Sequence, residues 1–269
     1  MINKFKGEVE MYLGFNLEAD VDFTEWYDKG RVLYKQNSSE VEKNLRKYLY
    51  EGTEIYNGSL MANEWFPKIK VDVFLSHSHI DKEKAIGLAG WLEENFNLTV
   101  FIDSCIWGHA NDLLKMIDDK HCLNDDETMY DYNKRNYSTS HVHMMLSMAL
   151  TKMMDKAELV IFMNTENSVQ PVNDTISQAT KSPWVYSELV LTNLIRKKNP
   201  GRKVQKSMEK HTLEEAKRLD VAYPVDELLN RLIPLKYKNL VVWRNQFSKN
   251  SDVDVHPLDY LYSQFEKSN

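Results

Sequence analysis

Three short apolar runs, rich in β-branched and aromatic residues, punctuate the chain: residues 69–75 (IKVDVFL), 98–102 (LTVFI) and 158–163 (ELVIFM). Their length and their β-branched and aromatic content predict strands of a parallel sheet, the second and third of them buried. Between the first two, Ala85, Leu88, Ala89 and Leu92 recur at the spacing of one helix face, and Ser78 is placed to cap a helix beginning near Asp81. Strand, helix and strand make a β-α-β unit, the building block of a doubly wound sheet. Ser182 and Pro183 open a further helix, with a serine N-cap and a proline at the first helical position, where its missing N–H costs nothing. That helix is expected to end in Arg196, Lys197 and Lys198, before Asn199, Pro200 and Gly201 break it. A methionine-rich helix is predicted over residues 140–155. A last strand is predicted over residues 221–225, at a sheet edge because it contains Pro224.

The ends of the chain read differently. Residues 1–66 carry little strand signal and one good helix pattern, over 39–50, where Val41, Leu45, Tyr48 and Leu49 share a face. Trp26, Tyr27, Trp65 and Phe66 give this stretch apolar mass to cover, which predicts an N-terminal helical extension packed on a main domain of residues 67–269. Residues 123–137, with Asp125, Asp126 and Glu127, read as a polar insertion. The tail from about residue 226, with Trp243, Leu258, Tyr260, Leu261 and Phe265, reads as helical and packed.

With 269 residues, 42% of them hydrophobic and 28% charged, the chain has material for a large core and is too apolar for wholesale disorder. The net charge of −6 argues against a nucleic-acid partner, which would call for a basic excess. Cys105 and Cys122 are too few for a disulfide framework and suit a reducing cytoplasm. The start of the chain lacks a signal-peptide apolar core, and no stretch approaches the roughly 18 apolar residues of a membrane span, so no membrane partner is expected. Neither GxGxxG nor GxxxxGK[ST] occurs, so the common phosphate-cradling loops are absent.

Ligands of open α/β sheets bind outside the carboxyl ends of the strands, which selects residues 76–81, 103–110 and 164–188. In the last of these, Trp184 and Glu188 stand four apart and so share a helix face. An aromatic plane beside a carboxylate suits a sugar-nucleotide site, the ring stacking on a base while the carboxylate meets ribose hydroxyls or a developing positive charge. A core tryptophan with a surface glutamate is the plainer reading of the same spacing. Residues 76–81 spell Ser-His-Ser-His-Ile-Asp, an HxHxD spacing found in metallo-hydrolases, but Lys82 occupies the position of the next histidine. A loop that caps a helix is the alternative, and no metal is assigned. Arg196, Lys197, Lys198, Arg202, Lys203 and Lys206 read as a solvated helix end, Cys105 as a bystander thiol, and the methionines of residues 143–154 as core.

Taken in order, VDVFLSHSHIDKEKAIGLAGWLEE, LTVFIDSCIW, ELVIFMNT, SPWVYSELVLTNLI and VAYPVD resemble the Toll/interleukin-1 receptor (TIR) domain family, in particular its bacterial members, over residues 68–225. The resemblance implies a flavodoxin-like sheet. It also implies cleavage of the nicotinamide–ribose bond of NAD, as in the enzymatic branch of that family, with NAD as substrate and no resident cofactor. It places the catalytic glutamate at Glu188 and its companion tryptophan at Trp184. Ser76, His77 and Ser78 would line the site floor, and residues 103–110, with Asp103 and Trp107, would form the mobile loop that covers substrate and mediates self-association. This loop lacks the proline-glycine pair common in receptor and adaptor members. The products implied are ADP-ribose or a cyclic isomer, the latter a signal to a separate effector in anti-phage defence. An assembly-only TIR module and a metal-dependent hydrolase are the other classes in view.

Overall fold

A computed structural model describes residues 13–18, 21–37, 44–66, 70–172, 178–195, 222–250 and 255–265. Its centre is a five-stranded, wholly parallel sheet of β1 (Leu13–Leu17), β2 (Val73–Ser76), β3 (Val100–Ile102), β4 (Leu159–Met163) and β7 (Ile233–Leu235), in the order β3-β2-β4-β1-β7. β2, β3 and β4 are the strands expected from the three apolar runs, and every residue in them is buried. β5 (Ala179–Thr180) and β6 (Tyr223–Pro224) pair antiparallel in a separate two-stranded ribbon. The strand expected around Pro224 therefore does not edge the main sheet. β7 takes that edge, with Pro234 on a strand that has a neighbour on one side alone.

Two groups of helices cover the sheet. α1 (Tyr27–Asn37), α3 (Lys82–Phe96), α8 (Tyr237–Lys249) and α9 (Pro257–Ser263) form one. The other comprises α2 (Gly58–Trp65), α4 (Trp107–His121), α5 (Tyr132–Lys156), α6 (Pro183–Leu194) and α7 (Asp226–Asn230). β1 shows how the faces divide. Phe15 stacks on Tyr262 of α9, whereas the position of Gly14 faces α6, where an added Cβ would lie 2.6 Å from Thr192 Cγ2. The C-terminal helices pack as expected: Trp243 is fully buried, stacked on Phe96 at 4.0 Å, and its indole N–H donates to the Pro257 carbonyl at 2.8 Å.

The N-terminal region is not a helical appendage. β1 sits inside the sheet, hydrogen-bonded to β4 on one side and β7 on the other. It fills the fourth position, which a flavodoxin-like order gives to a strand later in the chain. From β1 the chain passes over one face as α1 and reaches the other as α2, against α4 and α5. The α1–α3 crossing is close because glycines line it: a Cβ on Gly30 would come 1.8 Å from the Ile86 carbonyl oxygen, and one on Gly90 2.2 Å from that of Trp26.

Other expected elements shift for local reasons. The helix expected over 39–50 is, in its described part, a 3-10 turn at Leu45–Tyr48, and the chain then reverses through Gly52 (φ 71°) so that Leu49 bridges Tyr56. The polar insertion narrows, because Asp131 accepts from the Lys134 N–H and starts α5 at Tyr132. α5 buries Leu146, Leu150, Met153 and Met154 but exposes Met144 and Met148, so its methionines are not all core. α6 begins as expected, with Ser182 Oγ accepting from the Val185 N–H at 3.2 Å, and ends at Leu194; the basic residues 196–206 lie outside the described residues. Among the described residues no helix is long and apolar enough to cross a membrane.

Candidate functional site

The carboxyl ends of β2 and β3 and the second turn of α6 converge on a cluster of buried polar groups. Ser76 closes β2 and points to the α6 face, where its hydroxyl donates to Glu188 Oε2 at 2.5 Å. Glu188 is 1% exposed, so its side chain is not the surface glutamate that a solvated helix face would present. Burial, and next the negative charge of Asp103, hold its carboxyl protonated well above the ordinary carboxylate range, against the opposing pull of the Ser76 hydrogen bond. Asp103 follows β3 in a 3-10 turn, Asp103–Cys105, and is fully buried. Its Oδ1 accepts from the Ser104 N–H at 2.6 Å and lies 2.5 Å from His77 Nδ1, a close contact that lacks the alignment of a hydrogen bond.

Six buried polar atoms here have no hydrogen-bond partner: His77 Nδ1 and Nε2, Asp103 Oδ2, Ser104 Oγ, Trp107 Nε1 and Glu188 Oε1. Buried polar atoms are nearly always satisfied, so such a concentration in one place marks a site that a ligand or ordered water completes. An aromatic row adjoins it. His79 stacks on Trp107 (6.1 Å between centroids, planes 9° apart), Trp107 meets Trp184 at 5.7 Å, and His143 of α5 stands edge-on to Trp184 at 5.6 Å. Glu188 and Trp184 are one turn apart in α6, and Asp103 lies in the 3-10 turn just before Trp107 opens α4, so the Asp103 charge acts on Glu188 where the indole of Trp107 meets that of Trp184. A cleft of about 60 Å³ lies among Trp107, Asn111, Leu114, His143, Leu146 and Trp184.

The structure thus brings together Ser76, His77, Asp103, Trp107, Trp184 and Glu188. Ser78 is buried but heads the 3-10 turn His79–Asp81 through its backbone, and its hydroxyl makes no capping bond. The stretch expected to be a covering loop is instead the buried turn at Asp103 and the first turn of α4, which Tyr34 straps through hydrogen bonds with Ser104 O and Cys105 Sγ. Burial pushes the Cys105 thiol up and leaves it unreactive, in keeping with a bystander. The HxHxD residues diverge: His77 turns to Asp103, His79 to Trp107, and Asp81 accepts from Thr165 Oγ1 at 2.6 Å and Asn167 Nδ2 at 2.9 Å. No group of three potential metal ligands occurs among the described residues. Ser104 falls within the strand-end stretch 103–110 selected from the sequence, whereas Asn111 and His143 join the site without any local sequence signal; helix packing alone places those two. No protein-family model, curated protein or solved structure matches the chain.

Proposed function

We propose that this chain cleaves the nicotinamide–ribose bond of NAD, as do the NAD-cleaving TIR-domain proteins that its motifs resemble. The observation that carries the reading is the buried Glu188 carboxyl, held by Ser76 one turn along α6 from Trp184, whose indole meets that of Trp107. Departure of nicotinamide leaves an oxocarbenium-like ribosyl centre, and a carboxylate fixed out of water, once Glu188 gives up its proton, stabilises that charge far better than one in solvent. Indole planes give the aromatic parts of NAD a surface to stack on. The cleft between them is several-fold smaller than an ordinary ligand pocket of roughly 300–1,000 Å³, so binding requires Trp107 and Trp184 to part.

Water then captures the cation to give ADP-ribose, or a nitrogen or hydroxyl of the same molecule captures it to give a cyclic isomer. A cyclic product suits a signal read by a separate effector in anti-phage defence, and self-association of copies belongs to the same proposal. The test is the purified 269-residue chain at high concentration with NAD, followed by chromatography with mass detection beside a folded Glu188→Ala variant. Nicotinamide release by the wild type, reduced about 100-fold or more in the variant, is expected. Equal release by both refutes the assignment, and the mass of the adenine product separates hydrolysis from cyclisation.

A further inference from the structure

Glu188 and Asp103 each have one anchored carboxyl oxygen and one without a donor. Glu188 Oε2 is held by Ser76, and Asp103 Oδ1 by the Ser104 N–H; Glu188 Oε1 and Asp103 Oδ2 have no partner. Both side chains are out of contact with solvent, and each is within reach of the other's charge. Two carboxylates so placed do not both ionise, and a single proton between the two orphaned oxygens satisfies both of them.

We propose that Asp103 is a positioning residue that shares one proton with Glu188, so that the buried pair carries one negative charge and can move it onto Glu188 without exchanging a proton with water. Its catalytic consequence rests on the NAD reading above. At rest the proton sits on Glu188, held there by burial and by the neighbouring Asp103 carboxylate. As positive charge grows on the ribosyl carbon, the O–H bond at Glu188 Oε1 breaks and one forms at Asp103 Oδ2. The pair keeps its single negative charge, now on the carboxyl nearer the substrate. The surroundings contain few competing charges. β2 supplies Ser76 and His77, the turn after β3 supplies Asp103 and the Cys105 thiol, and α5 supplies His143 behind Trp184. Lys82, at the start of α3, lies over the Tyr34 ring and bears on Cys105. Among the described residues, the charged group that acts on Glu188 is Asp103.

The experiment is infrared titration of the wild-type chain, Glu188→Gln and Asp103→Asn, with nicotinamide release from NAD measured over the same pH range. The wild type should keep the carbonyl band of a buried protonated carboxyl at neutral pH, and Glu188→Gln should lose it. In Asp103→Asn the band should vanish at lower pH than in the wild type, with the rise of activity moving the same way; a merely structural role would lower turnover without moving the profile. If Asp103→Asn does not fold, Asp103→Ser, which also removes the carboxyl, is titrated in its place and read against the same outcomes. Absence of the neutral-pH band, or a band unmoved in folded Asp103→Asn, overturns the pair. A wild type that shows the band and releases no nicotinamide leaves the pair standing and sinks the NAD reading.

Discussion

Replacing a helical glycine by alanine ordinarily stabilises a protein by close to 1 kcal/mol, since glycine has more backbone freedom to lose. Gly30 should do the opposite. An added Cβ would sit 1.8 Å from the Ile86 carbonyl oxygen, where real contacts do not fall below 3.0 Å, so α1 and α3 would have to separate by about 1.2 Å. The obstacle is backbone, which no rotamer change relieves, and the crossing is fixed elsewhere by Gly87 against Phe23 and Gly90 against Trp26. Overpacking of this kind costs about 1–3 kcal/mol, occasionally more. A net loss of about 2 kcal/mol would lower Tm by roughly 4–8 °C in a chain of this size. Gly108, in the first turn of α4, is the control, because a Cβ there meets nothing within 4 Å. Thermal and urea unfolding of Gly30→Ala and Gly108→Ala should therefore shift in opposite directions, or leave the second unchanged. A Gly30→Ala variant as stable as the wild type would refute the close α1–α3 contact.

Two further outcomes follow from the site. Ser182→Ala removes the acceptor of the Val185 N–H and should cost about 1 kcal/mol by urea unfolding, fraying the turn that carries Trp184; an unchanged midpoint would mean that Pro183 alone starts α6. Because Glu188 keeps its proton in the folded chain over a pH range where the unfolded chain has released it, its contribution to stability is fully present below the ordinary carboxylate pKa of 4.5 and is lost as pH rises through the raised folded value. Glu188→Gln should thus gain Tm relative to the wild type as pH rises. A difference that stays constant from acid to alkaline pH would show that the carboxyl is not held protonated.

What the sequence determined by itself is what local chemistry dictates. β2, β3 and β4 were legible because strands buried on both faces must be apolar throughout, and α6 because Ser182 and Pro183 satisfy a helix N-terminus whatever surrounds it. The Trp184–Glu188 spacing was legible too, but its meaning was open, since the same pattern serves a surface glutamate. Tertiary structure alone decided the rest. Gly14 and Asn16 weaken β1 as a strand signal, and it is a strand because β4 and β7 pair with it on both sides while Gly14 makes room for α6. Ser76 and Glu188, 112 residues apart, meet where β2 ends beneath α6, and Asp103 joins them from β3. Periodicity records which face of an element avoids water; which buried carboxyl faces which depends on how the elements pack, and that is not written in any one of them.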